Sequence, residues 1–129
     1  MKALLDTHVV LWAIGAPHEL SREVREILDD PTTEIFISSV TAWEIATKHR
    51  LGKLPAAAPL LATYAAQTTR LRATAMPLTT EHGLYAGQLV WPHKDPFDRA
   101  LAAQSMIENL TLVTKDSAFA TLPGVRTMW

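Results

Sequence analysis

The chain contains no cysteine, which excludes disulfides and thiolate metal sites and makes a reducing compartment the simpler expectation. It has no long apolar run at its start, because Met1-Lys2-Ala3-Leu4-Leu5 meets Asp6 too early for a signal peptide or a membrane span. These absences read as a soluble, cytoplasmic protein with no membrane association. There are no repeats, linkers or low-complexity segments, and Ala56-Ala57-Ala58 is too short to separate domains. Also missing is the basic excess usual for a nucleic-acid binder, since the formal net charge is −1. That total hides a division: setting aside the four acids singled out below leaves nine acids against twelve Lys and Arg. What remains is 129 residues, 48% of them hydrophobic, which suits a single domain, 1–129, around one core.

Ala3-Leu4-Leu5 reads as a buried strand, and Thr7 to Gly15 as an apolar helix stopped by Gly15 and Pro17. Ser21 caps a second helix, Arg22 to Leu28, and Ile35-Phe36-Ile37 is a second buried strand. Ser38 or Ser39 caps a third helix that runs to about Leu51 and stops at Gly52. The alanine-rich stretch that follows predicts a helix from Pro59 to Thr69, then a short strand from Ala73 to Leu78. Thr79 or Thr80 opens a helix through Val90, and Asp95 caps another, with Pro96 at its first position, that runs to about Glu108. Leu110 to Thr114 is a strand, and residues 125–129 form a last edge strand. Strands alternating with helices predict a three-layer α/β/α fold with a mainly parallel central sheet.

In such sheets, sites form at the carboxyl ends of the strands. Asp6 and Asp116 each follow a predicted strand. Glu44 lies about one turn into the helix that Ser38 or Ser39 starts, and Asp98 lies in the first turn of its own helix. All four can therefore face one edge of the sheet. Each acid also has a plain structural explanation. Asp6 and Asp116 suit N-caps. Asp98 suits the positive end of a helix dipole, and Glu44 stands four residues before Lys48, a surface ion pair worth roughly 0.3–0.5 kcal/mol. Glu44 fits its explanation worst, because its neighbours Val40, Ala42, Trp43, Ile45 and Ala46 threaten to bury it. Burying a lone acid costs several kcal/mol unless it is paired or metal-bound. Two carboxylates about 4 Å apart repel by roughly 4 kcal/mol at an effective dielectric near 20. Four together need protons or a cation, and oxygen-only ligands select Mg²⁺ or Mn²⁺. A carboxylate-held ion of that kind suits phosphodiester hydrolysis by water, leaving a 5′-phosphate and a 3′-hydroxyl.

Four segments carry a family resemblance: Leu4-Leu5-Asp6-Thr7-His8; Ile37-Ser38-Ser39-Val40-Thr41-Ala42-Trp43-Glu44-Ile45; His93-Lys94-Asp95-Pro96-Phe97-Asp98-Arg99, with Leu101-Ala102-Ala103-Gln104 behind it; and Leu112-Val113-Thr114-Lys115-Asp116. In this order and spacing the chain resembles the PIN-domain ribonucleases, in particular VapC-type toxins of bacterial toxin–antitoxin pairs, over nearly its whole length. One such motif alone would say little. The resemblance implies a PIN-like domain and an endoribonuclease that inhibits translation and growth. It implies Asp6, Glu44, Asp98 and Asp116 as an acidic quartet holding Mg²⁺ or Mn²⁺. It further implies a homodimer, a cognate VapB-type antitoxin, and tRNA or rRNA as substrate.

Beside the quartet, Asp95 reads as an N-cap that could pair with Arg99, or as an auxiliary metal residue. Thr114 could bind a metal water or phosphate, or be an ordinary strand threonine. Histidines 8, 18, 49, 82 and 93 form no ligand pair at helical spacing, so zinc is not expected. His8 reads as structural or as touching substrate. Lys48, His49, Arg50 and Lys53 form a basic run, which with Lys94, Arg99 and Lys115 could guide RNA phosphate. Trp12, Val10 and Leu11 read mostly as core, with part left for a dimer or antitoxin surface. Two rivals remain. A receiver-like phosphoacceptor domain would lack a helical acid like Glu44 and would need an Asp ending a central strand, which 35–38 and 73–78 do not supply. A catalytically inactive binding module of the same fold would have no need of four mutually repelling acids.

Overall fold

The computed structural model describes residues 1–129. Five strands, β1 (Lys2–Leu5), β2 (Glu34–Ser38), β3 (Ala73–Met76), β4 (Thr111–Val113) and β5 (Thr127–Met128), form one sheet in the order β3-β2-β1-β4-β5. Every neighbouring pair is parallel, with Leu4 opposite both Phe36 and Leu112. The predicted α/β/α sandwich is thus present. Central β1 is apolar on both faces because helices cover both. Ala3 and Leu5 point to one side, where they pack with Ile35, Ile37 and Val113 against Val9 and Val10 of α1 (Thr7–Gly15) and Val24 of α2 (Arg22–Asp29). Leu4 and Leu112 point to the other, against Leu101 and Ala102 of α7 (Pro96–Ile107) and against Phe119. A smaller core joins Ile45 of α3 (Ser39–Arg50) to Ala57 and Leu60.

The expected helix from Pro59 is two helices, α4 (Ala58–Ala62) and α5 (Tyr64–Arg70). The break falls at Thr63, whose hydroxyl donates to the Pro59 carbonyl at 2.8 Å, a back-bond that competes with regular helix. Three short 3₁₀ turns, at 17–19, 55–57 and 117–121, were not foreseen, and α6 (Thr80–Gln88) stops short of Val90. Ser38 and Thr79, rather than their neighbours, are the caps of α3 and α6. No helix is long and apolar enough to cross a membrane.

The chain winds outward from β1 to β3, then returns to place β4 on the other side of β1. The carboxyl ends of β1 and β4 therefore flank the point where the winding reverses, the usual ligand crevice of such sheets. Of the two grounds against the receiver-like rival, the helical acid Glu44 holds, since it lies within α3. The want of an acid ending a central strand does not, since the central strand is β1 and it ends at Asp6. Strand order also tells against the rival, because receiver domains run 2-1-3-4-5.

α3 ends in a Schellman turn. The Lys53 N–H donates to the Lys48 carbonyl at 2.9 Å and the Gly52 N–H to the His49 carbonyl at 3.0 Å, with Gly52 at φ 74°. Gly52→Ala puts a side chain in that left-handed conformation and is expected to cost about 1–2 kcal/mol. A lower urea midpoint with an unchanged slope is the predicted readout.

Candidate active site at the carboxyl edge of the sheet

Asp6 leaves β1 as the N-cap of α1 and is buried. Its Oδ1 accepts the Thr7 N–H at 2.7 Å, and its Oδ2 accepts the Thr114 hydroxyl at 2.8 Å. The Thr114 oxygen in turn accepts the Asp116 N–H at 3.0 Å, which stitches the ends of β1 and β4 together. Burial raises the Asp6 pKa above the usual carboxylate range, aided by nearby Glu44 and opposed by these hydrogen bonds and by His8.

Glu44 is 2% exposed, on the inward face of α3 with Val40, Thr41 and Ile45. Its Oε1 accepts the Thr7 hydroxyl at 2.5 Å, and its Oε2 pairs with Lys48. The surface ion pair expected from the i,i+4 spacing is therefore a largely buried one, because α3 turns that face toward the site. Burial by itself would lower the Lys48 pKa. The hydrogen bond and charge of Glu44, with Asp95 and Asp98 behind it, outweigh burial and raise it. Thr7 thus clamps both acids, giving its N–H to Asp6 and its hydroxyl to Glu44.

Asp98, in the first turn of α7, lies 2.6 Å through its Oδ2 from His93 Nε2. Burial lifts its pKa to about 6, against the His93 hydrogen bond and with the charges of Asp95, Asp6 and Glu44 adding to the rise. Asp95 Oδ1 caps α7 through the N–H groups of Phe97 and Asp98, at 2.9 and 3.3 Å. Ligand atoms of His93, Asp95 and Asp98 all lie within 4.8 Å of one another. Asp116 sits exposed on the rim, where its Oδ1 caps the 117–121 turn through the Ala118 N–H at 2.9 Å.

Asp6, Glu44 and Asp98 therefore share one electrostatic neighbourhood, and Asp116 joins it through its main chain and Thr114. The four predicted acids do not close on one point. The tightest ligand-like group instead contains Asp95 and a histidine absent from the predicted set, His93. Thr7 was likewise given no role. Both lie within the segments that carry the family resemblance, but helical spacing does not relate a histidine to a partner five residues away across a loop.

Arg99 departs furthest from expectation. It makes no ion pair with Asp95, and its guanidinium donates instead to the carbonyls of Ala86, Trp91, His93 and Leu89 at 2.7–3.0 Å and of Gly87 at 3.5 Å. Five donors meet five carbonyls, so Arg99 ties the end of α6 to the loop that follows it, up to His93, rather than lying open to RNA phosphate. Lys48 is similarly engaged. Arg50, Lys94 and Lys115 remain exposed. The oxygen-rich donor set, a carboxyl lifted by burial and the repulsion among its neighbours fit a hard divalent cation.

Residues 3–125 match the family described as PIN domain. Ribonuclease VapC16 of Mycobacterium tuberculosis is 42% identical over 60 residues, 46% of this chain, and the chain spans only 41% of that relative's length. The fold is similar to that of VapBC2 from Rickettsia felis bound to a DNA fragment from their promoter, at 17% identity, TM-score 0.67, and 99% and 98% coverage of the two chains. It is also similar to DNA-bound VapBC from Salmonella typhimurium, at 20% identity, TM-score 0.68, and 99% and 97% coverage. At these identities the structural likeness establishes the fold.

Thr7→Val keeps the shape and removes the hydroxyl that Glu44 accepts. It is expected to cost about 1–3 kcal/mol, read by urea denaturation. Asp98 titrates higher folded than unfolded, so the folded state holds the extra proton between about pH 4 and 6. Stability of the metal-free protein should consequently fall as pH rises through that window. Asp98→Asn should flatten that decline and exceed the parent in stability at pH 7 in EDTA, as measured by thermal unfolding across pH. An unchanged slope would remove Asp98 as its source.

Proposed function

The chain belongs to the PIN-domain family, and on that premise we propose that it is a divalent-metal-dependent endoribonuclease, the toxin of a VapBC-type toxin–antitoxin pair. The observation that carries this reading is the group of buried carboxyls at the sheet's reversal point, with Asp98 lifted to about 6 by burial and neighbouring acids. Such a group pays an electrostatic penalty that a bound cation relieves. The ribonuclease activity named for the M. tuberculosis relative supports RNA as substrate. A structured tRNA or rRNA loop, with loss of translation and growth as the consequence, is the form proposed here.

Asp6 and Asp98 would hold the ion together with Asp116, and Asp95 and His93 lie beside Asp98. A bound Mg²⁺ or Mn²⁺ supplies Lewis acidity to the phosphate and to the attacking water. Thr114 and the Thr7 N–H fix both oxygens of Asp6, so this ligand is positioned before substrate arrives. Glu44, with its oxygens turned to Thr7 and Lys48, contributes a fixed negative charge beside Asp6. His93 orients Asp98, and Arg99 anchors the loop that carries His93. Arg50, Lys94 and Lys115 guide phosphate. The neighbours' VapBC assemblies support a VapB-type antitoxin, and exposed Trp43, Leu84 and Val90 offer apolar surface for that partner or for a second copy of the chain.

The purified chain, freed of partner, should cleave RNA with Mg²⁺ or Mn²⁺ and stop in EDTA. Asp6→Ala and Asp98→Ala should each lower the rate by at least about a hundredfold while circular dichroism stays unchanged. Cleavage by either variant at the parent's rate would overturn the assignment. Because protons and cation compete for Asp98, the acid limb of the pH–rate profile should lie near 6 and move down as metal concentration rises.

A further inference from the structure

We propose that His8, Trp12, Lys115 and Trp129 form a stacking platform for an unpaired nucleobase of the RNA substrate, immediately beside the carboxylate site. The inference rests on the ribonuclease reading above and adds to it the element that would hold a base.

Three separate stretches of chain bring these residues to the carboxyl edge of the sheet. His8 and Trp12 lie one turn apart on α1, which Asp6 caps, with ring centroids 5.7 Å apart. Lys115 stands between Thr114, which binds Asp6, and Asp116. Trp129 directly follows β5, where the Thr114 N–H donates to the Met128 carbonyl at 2.9 Å, so Trp129 is held alongside Thr114. The two tryptophans meet edge-to-face at 5.6 Å, and the Lys115 ammonium lies 5.8 Å from the centroid of each ring.

Both indoles also rest on the core that α1 covers, which by itself would make them structural. Core packing does not account for the other two members, because His8 and Lys115 are exposed and still converge on Trp12. Beyond Trp12 the surface opens into a groove of about 380 Å³ along α1, lined by Leu11, Ile14, Leu54, Leu60 and Lys53 among others, with no acid in its wall. Aromatic faces with a nearby cation, opening on a groove wall free of carboxylates, are the chemistry that holds a base and the phosphate attached to it. Lys115 can leave the ring face to an incoming base and keep its charge near the flanking phosphate. A base seated there lies next to the acids proposed to direct hydrolysis, so the platform would select unpaired RNA and set which linkage is presented.

The test is binding of a short single-stranded oligouridylate to the full chain in EDTA, where cleavage is suppressed. It uses anisotropy and photocrosslinking with a 4-thiouridine-substituted copy. The parent should crosslink within residues 7–15 or at Lys115. Trp12→Ala should weaken binding about tenfold, and Trp12→Phe should restore most of it. His8→Ala and Lys115→Gln should each weaken it severalfold. His8 is exposed and has no part in guiding phosphate, so His8→Ala carries the test if Trp12→Ala fails to fold. With metal restored, the loss should appear in KM rather than kcat. Parent binding with all variants equally tight, and crosslinks elsewhere, would overturn the platform and leave the ribonuclease reading standing. Binding unchanged by Trp12→Ala while capture of a partner protein is lost would overturn it in favour of a protein-docking face. No binding by the parent would overturn the platform, while RNA cleavage with Mg²⁺ or Mn²⁺ decides the ribonuclease reading separately.

Discussion

The burial of Asp6 is the constraint around which the rest is arranged. A carboxylate ending the central strand of a parallel sheet is shut away from water on both faces, and burying it unsatisfied would cost several kcal/mol. The fold meets that cost locally. The Thr7 N–H takes one oxygen and the Thr114 hydroxyl the other, from just beyond the two strands that flank the reversal of the winding. Thr7 also reaches Glu44, which is balanced by Lys48. These hydrogen bonds satisfy Asp6 without neutralising it. Burial, with the remaining repulsion adding to it, lifts the Asp98 carboxyl furthest.

Structural and functional explanations of the acids turn out not to compete. Asp6, Asp95 and Asp116 are all helix or turn N-caps, as the plain readings required. A carboxylate has two oxygens, and Asp95 and Asp116 each cap through Oδ1 alone. Capping therefore aims the second oxygen rather than consuming the residue. Helix N-termini also favour negative charge, so the elements that need caps gather acids at one edge of the sheet. Arg99 shows the converse: a cation beside a carboxylate motif is used entirely on main-chain carbonyls, and through them on the placement of His93.

Much of the fold was legible because its signals are local. The unbroken apolar run of β1, the caps at Ser21 and Asp95, and the Gly52 stop each depend on residues within a few positions. The misses have the same origin. A break at Thr63 depends on whether one hydroxyl turns back to a carbonyl, and the 3₁₀ turns leave no periodic trace. For the site, residue type and position after a strand pointed to Asp6 and Asp116. The poor fit of Glu44 to a surface role pointed to a buried acid.

From its sequence alone this protein had an alternating α/β pattern, four acids placed to reach one sheet edge, and motifs resembling the PIN-domain ribonucleases. Those follow from spacing and residue chemistry along the chain. Tertiary structure alone decided which of the basic residues are free, that Thr7 clamps two acids, that His93 meets Asp98, and that Trp12 and Trp129 meet under Lys115. Each of those contacts joins residues through loop closure or strand order. A local pattern carries no information about a partner brought in by another strand, and the donors of Arg99 could have served phosphate as well as carbonyl until the fold placed the carbonyls first.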